Sequence, residues 1–175
     1  PQLVVKDTLI DGLWRLARAA RARFAGPVIG LTGSAGKTST KEFLAAYPAA
    51  YASPSSFNNF WGVPLTLCNA SPKASVWVVE MGMNQSGEIA RLSELTQPTV
   101  ALVVNVQPVH LEKLGSLEAI RRENARAIAD LFASQRGNFV CATAGHNFEA
   151  LLAAHGSGAV PHSAEQQCRV LNVDI

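Results

Sequence analysis

At 175 residues, 48% hydrophobic and 16% charged, the chain suits one domain with a real core and is short for two. A net charge of +2 is too small to argue for nucleic acid or an anionic membrane surface as partner, and no apolar run is long enough to span a bilayer. Cys68, Cys141 and Cys168 stand at wide, motif-free spacing, and the start of the chain lacks the basic-then-apolar layout of a secretory signal, so reduced, mostly buried thiols and a cytoplasmic setting are expected.

In chain order, LIDGLWRLARAARARF places Leu9, Leu13, Trp14, Leu16, Ala17, Ala20 and Phe24 near helical spacing, which predicts a lead-in helix within residues 1–24. PVIGLT (27–32) predicts a strand, and KTSTKEFLAAY a helix closed by Pro48. ASPSSFNNFWGVP (52–64) reads as a loop, with Phe60 and Trp61 as core residues or loop anchors, core being the preferred reading. SVWVVEMG (75–82) is a second strand, SGEIARLSEL (86–95) a helix, and TVALVVNV (99–106) a third buried strand. QPVHLEKLG (107–115) is a loop and SLEAIRRENARAIADLF (116–132) a long helix; NFVCAT (138–143) is a strand and NFEALLAAHG (147–156) a helix. GAVPHS and CRVLNVDI supply two further short strands. Continuous apolar strands separated by helices indicate an α/β fold, a mainly parallel sheet covered by helices on both faces. Ligands of such sheets bind at the carboxyl ends of the strands, where the two loops are expected.

The stretch GLTGSAGKTST carries the chemistry. Gly33 and Gly36 permit a turn that points N–H groups inward, and a helix beginning at Lys37 adds the positive end of its dipole. Lys37 can neutralise outer phosphates, and the Thr38 hydroxyl can ligate Mg²⁺. A tight strand-to-helix turn alone would give no reason for Gly-Lys-Thr. The strict Walker spacing fails, because it needs glycine where Leu31 stands. Glu80 closes the apolar run SVWVVE, where a carboxylate is costly to bury without a cation. Glu88 suits the first turn of its helix.

TGSAGKTSTKE resembles the shortened phosphate loop of the Mur ligases, the ATP-dependent amide-forming enzymes of peptidoglycan synthesis. SSFNNFWGVPLTL (55–67), VVEMGMNQSGEI (78–89) and VVNVQPVHLEKLGSLEAI (103–120) match in order, in the form of the branch that adds D-alanyl-D-alanine to the UDP-N-acetylmuramoyl tripeptide. The resemblance spans roughly residues 7–150. It implies a P-loop NTPase-like central domain over 25–175, part of the family's whole central domain, with the N-terminal UDP-binding and C-terminal amino-acid-binding domains outside this sequence. It implies ATP and Mg²⁺ as cofactors and an acyl-phosphate mechanism. UDP-linked muramyl peptide and D-Ala-D-Ala would be partners only in a full-length ligase. Gly33, Ser34, Ala35, Gly36, Lys37, Thr38 and Ser39, with Asn58 and Asn59, would hold the nucleotide; Thr38, Glu80 and His110 would hold metal; Lys37 and His110 would be catalytic.

Two departures bear on activity. The family carries a carbamate-forming lysine in the helix after the histidine, and the matching position holds Asn124, among Arg121, Arg122 and Arg126. The segment from Lys37 to Asn58 is a few residues shorter than the family pattern. The alternatives are therefore a catalytically silent nucleotide-binding or scaffold domain of Mur-ligase descent, or a relative among the folylpolyglutamate or cyanophycin synthetases. An unrelated P-loop NTPase would leave NNFWGVPLTL unexplained.

Overall fold

A computed structural model describes residues 8–85, 87–105, 138–141 and 169–170. Among the described residues the sheet has six strands, all parallel: β1 (Val28–Thr32), β2 (Ala50–Ala52), β3 (Val76–Glu80), β4 (Val100–Val103), β5 (Asn138–Cys141) and β6 (Arg169–Val170), in the order β2-β3-β1-β4-β5-β6. Between them run α1 (Leu9–Ala22), which precedes β1, then α2 (Lys37–Ala45), α3 (Gly62–Asn69) and α4 (Glu88–Thr96). The chain leaves β1 toward one edge, returns through β3, and crosses to the other side at β4. The carboxyl ends of β1, β3 and β4 therefore open onto one crevice, the usual ligand position in such sheets.

Alternation along the strands assigns the layers. Trp77 and Val79 of β3 and Val28 of β1 join a cluster with Trp14 and Ala17 of α1, Phe24, Val63 and Leu67 of α3, and Ile89, Leu92 and Leu95 of α4. Phe24 stacks on Trp77 with ring centroids 4.1 Å apart and planes 4° apart. Val78 and Glu80 point to the opposite face, where α2 lies, so helices cover both faces as expected. β3 is buried along its whole length and β1 at four of its five positions, which is why those two runs read as continuously apolar.

α1 starts at Thr8, whose hydroxyl accepts the Asp11 N–H. Its inner face is narrower than the periodicity implied: Trp14, Ala17 and Ala20 are buried, whereas Leu9 and Leu16 are exposed. At the far end Arg21 reaches α4. Its Nε donates to the Thr96 carbonyl (2.7 Å) and one Nη to the Gln97 carbonyl (2.8 Å), so a cation sits on orphan carbonyls at the negative end of that helix.

Two elements went unforeseen. β2 is three residues long and too small to signal itself. α3 occupies GVPLTLCN, with Pro64 tolerated in its first turn, where no intrahelical N–H bond is lost. Because α3 turns Val63, Thr66 and Leu67 inward, Cys68 is exposed rather than buried, and its thiol pKa is raised by partial burial. Trp61, read by preference as core, is 49% exposed at the α3 start, while Phe60 stacks on Trp14 at 5.4 Å. The expected helices at 116–132 and 147–156 and the strand in GAVPHS lie outside the described residues.

Candidate functional site

The register assembles the crevice before any side chain is considered. Leu31 of β1 pairs with Glu80 of β3, and Thr32 with Val103 of β4. The chain then leaves β1 into Gly33-Ser34-Ala35-Gly36. Gly33 has φ 146°, and a Cβ there would stand 3.0 Å from the Asn105 backbone nitrogen, so the position accepts only glycine. Gly36, with φ 75°, opens α2.

Asn105, just past β4, braces the loop. Its carbonyl accepts the Ser34 N–H (3.1 Å), and its Oδ1 accepts the Ala35 N–H (2.9 Å). The Lys37 ammonium folds back onto the loop, donating to the Gly33 carbonyl at 2.5 Å and reaching the Ser34 carbonyl at 3.5 Å. Burial holds its pKa below the ordinary lysine value, and the Glu80 charge opposes part of that shift. A desolvated ammonium beside a helix N-terminus is suited to an anion with several oxygens. Ser39 lies exposed in the first turn of α2.

Glu80 is 1% exposed and is the hub of the site. Its Oε2 lies 3.3 Å from the Thr38 hydroxyl, and its Oε1 accepts the Asn58 amide N–H at 2.9 Å. Its backbone N–H donates to Ser53 Oγ at 3.0 Å. Lys41, one helical turn beyond Lys37 and wholly buried, brings its ammonium to 3.9 Å from Oε2. Asn58 is fixed in turn: its carbonyl accepts the Gly82 N–H (2.7 Å), and a Cβ on Gly82 would meet the Asn58 side chain at 2.9 Å. Thr38 and Glu80 together offer hard oxygen donors, one anionic and buried, which is the donor chemistry Mg²⁺ takes.

Of the residues singled out in the sequence, Gly33, Ser34, Ala35, Gly36, Lys37, Thr38, Asn58 and Glu80 meet at one place. Asn59 turns away: its Oδ1 accepts the Trp61 and Gly62 N–H groups (3.1 and 2.9 Å) at the start of α3. Glu88 lies at the first residue of α4, and its carboxylate accepts the Asn84 and Gln85 N–H groups at 2.6 and 3.1 Å. His110 and Asn124 lie outside the described residues. Sequence reasoning missed Lys41, Ser53 and Asn105. Asn105 carried a usable signal, a polar residue closing a buried strand, the same signal that exposed Glu80. Lys41 carried none, because a lysine in an amphipathic helix reads as solvated.

Comparison with known proteins bears on the same residues. The family model of the Mur ligase middle domain matches residues 31–167. A UDP-N-acetylmuramoyl-tripeptide--D-alanyl-D-alanine ligase of Synechocystis is 41% identical over 132 residues, covering 73% of this chain and 29% of the relative. The structure of MurF from Acinetobacter baumannii superposes with a TM-score of 0.79 at 28% identity, over 97% of this chain and 36% of that one. MurF from Thermotoga maritima, solved in complex with ADP, gives 0.76 at 29% identity, over 96% and 37%. The chain thus spans about a third of the length of these relatives. With a family model matching most of its length and a sheet that follows the MurF middle domain, the chain belongs to the Mur ligase family.

Proposed function

We propose that the crevice binds ATP with Mg²⁺, and that the chain is the ATP-binding middle domain of a ligase that joins D-Ala-D-Ala to a UDP-linked muramyl tripeptide. The observation that carries this reading is the Thr38–Glu80 pair, 3.3 Å apart and one residue beyond the Lys37 ammonium, at the mouth of a glycine-bearing loop. The ADP complex of the Thermotoga relative supports the choice of nucleotide.

In this reading the loop N–H groups and the α2 N-terminus hold the phosphate chain, and Lys37 exchanges its loop carbonyls for the outer phosphate oxygens. Thr38 and Glu80 would hold the metal, which when bound neutralises charge on those oxygens. Asn58 fixes the Glu80 carboxylate, and its loop borders the space where an acceptor carboxylate would lie. The reaction proposed is transfer of the γ-phosphoryl group to the peptide carboxylate, with ADP leaving. The amine of D-Ala-D-Ala then attacks the acyl phosphate, forming the amide and releasing phosphate and a proton. Stabilising the charge and aligning the groups accounts for the residues present. His110, as a further metal-side residue, belongs to the same proposal, as do a domain division at about residue 25, a cytoplasmic setting, and UDP-peptide and amino-acid binding by parts beyond these 175 residues.

Asn124, standing where the family pattern has lysine, favours one second reading, a nucleotide binder without turnover. Calorimetric titration of Mg·ATP into the chain and into Lys37→Ala tests the first. Binding that depends on Lys37 is expected, with the variant still folded, and equal affinity in the two would refute the phosphate-loop assignment. Hydrolysis or ligation by a protein of the relatives' length separates the ligase from the silent binder.

A further inference from the structure

Lys41 has no part in the phosphate chemistry described so far, yet its side chain is 0% exposed. Burying a lysine is costly unless it is paired and hydrogen-bonded. Its ammonium donates to the Ser55 carbonyl, lies 3.1 Å from Glu42 Oε1 and 3.9 Å from Glu80 Oε2. Ser55 is one of three non-glycine residues with positive φ among the described residues, at 46°. That conformation is disfavoured for any side chain and persists only where its surroundings hold it. Ser55 lies in the 53–59 loop, whose two ends grip Glu80: Ser53 Oγ accepts its backbone N–H, and Asn58 donates to its carboxylate. One ammonium on the phosphate-loop helix therefore touches both the strained turn of this loop and the carboxylate the loop surrounds.

We propose that Lys41 is a positioning residue that locks the 53–59 loop and Glu80 to helix α2, presetting the carboxylate and Asn58 before nucleotide arrives. The proposal rests on the Mg-nucleotide reading of the site for its consequence, though not for the clamp. Lys41 acts through Glu80 and Asn58. Its removal weakens the gain in nucleotide affinity that Mg²⁺ confers, and leaves metal-free binding by Lys37 and the loop amides largely intact.

Two measurements on the full 175-residue chain test it: amide hydrogen exchange without nucleotide, and ADP affinity with and without Mg²⁺. In Lys41→Met and Lys41→Gln, the amides of Phe57, Asn58 and Gly82 exchange about tenfold faster or more, as loss of a charged hydrogen bond implies, while those of β1 and β4 keep their rates. The Mg²⁺-dependent gain in ADP affinity falls by about tenfold in the same variants, with metal-free affinity within about threefold. Lys41→Arg, which keeps the charge and a donor, preserves both quantities. A folded neutral variant with unchanged loop exchange and an unchanged Mg²⁺ gain overturns the proposal. Where neither neutral variant folds, the wild-type chain decides: loop amides protected without metal support the clamp, and amides that become protected only with Mg·ADP refute it. A wild-type chain that binds no ADP would refute the nucleotide reading, and the exchange measurement would still decide on Lys41.

Discussion

Two opposing influences meet at Lys37. Partial burial favours its neutral form, Glu80 favours the charged one, and burial is the larger, so the folded pKa lies below the ordinary lysine value. The unfolded chain then holds the proton more tightly. Below the folded pKa the charged lysine costs stability in full; as pH rises through it toward the unfolded value, the unfolded state binds more protons and that cost disappears. Replacing Lys37 by Met removes this dependence. The difference in melting temperature between variant and wild type, measured from about pH 7 to about pH 10, should move in the wild type's favour as pH rises. A flat difference would mean that the ammonium is not desolvated in the folded chain. Near neutral pH the charge on Lys37 is thus less favourable in the folded chain than in the unfolded one, a common trade at sites built to receive an anion.

Among the elements, α4 shows how a helix end is finished from a distance. Gln97, at its C-terminal boundary, has φ 43°, left-handed without being glycine. The Arg21 guanidinium spans the Thr96 and Gln97 carbonyls and also donates to the Phe24 carbonyl at 2.8 Å. Arg21→Ala should therefore lower unfolding free energy by about 1–3 kcal/mol, the range for hydrogen bonds to a charged group, as read from urea denaturation. A loss no larger than that of an exposed arginine such as Arg18 would refute the capping role. α2 is the opposite case from α1. It buries Lys41 and leaves Phe43 83% exposed, so its polar side faces the sheet. The sequence located this helix without assigning its inner face, and the Glu80 carboxylate on the neighbouring strand stands opposite the buried Lys41 there.

At the scale of the molecule, the core of the described residues lies under α1, α3 and α4, and Trp77 is the largest wholly buried side chain among them. It stacks on Phe24 and donates from Nε1 to the Ser71 carbonyl at 2.9 Å, tying the sheet to the chain just after α1 and to the turn after α3. Trp77→Ala should cost about 3–5 kcal/mol, seen as a lower denaturation midpoint. Its side chain lies on the sheet face away from α2, so a variant that still folds should bind nucleotide as before. Loss of binding in a folded variant would show that the core face and the crevice are coupled.

The strands were legible because a sheet covered on both faces needs continuous apolar runs, and β1, β3 and β4 supply them. The phosphate loop was legible because glycine, lysine and threonine at that spacing answer a chemical need within a few residues of each other. Glu80 was legible because a carboxylate closing an apolar run has to be explained. Strand order, by contrast, belongs to the packed sheet alone: that β3 and β4 flank β1 depends on how helices cover the two faces. The same holds for the division of labour between Asn58 and Asn59, adjacent and chemically identical. One bonds Glu80, and the other accepts the first N–H groups of α3. Lys41 became a site residue only when folding brought Ser55 and Glu80 to it, across 14 and 39 positions of chain. Local patterns encode what neighbouring residues do together, and contacts across such distances exist only once the chain has folded.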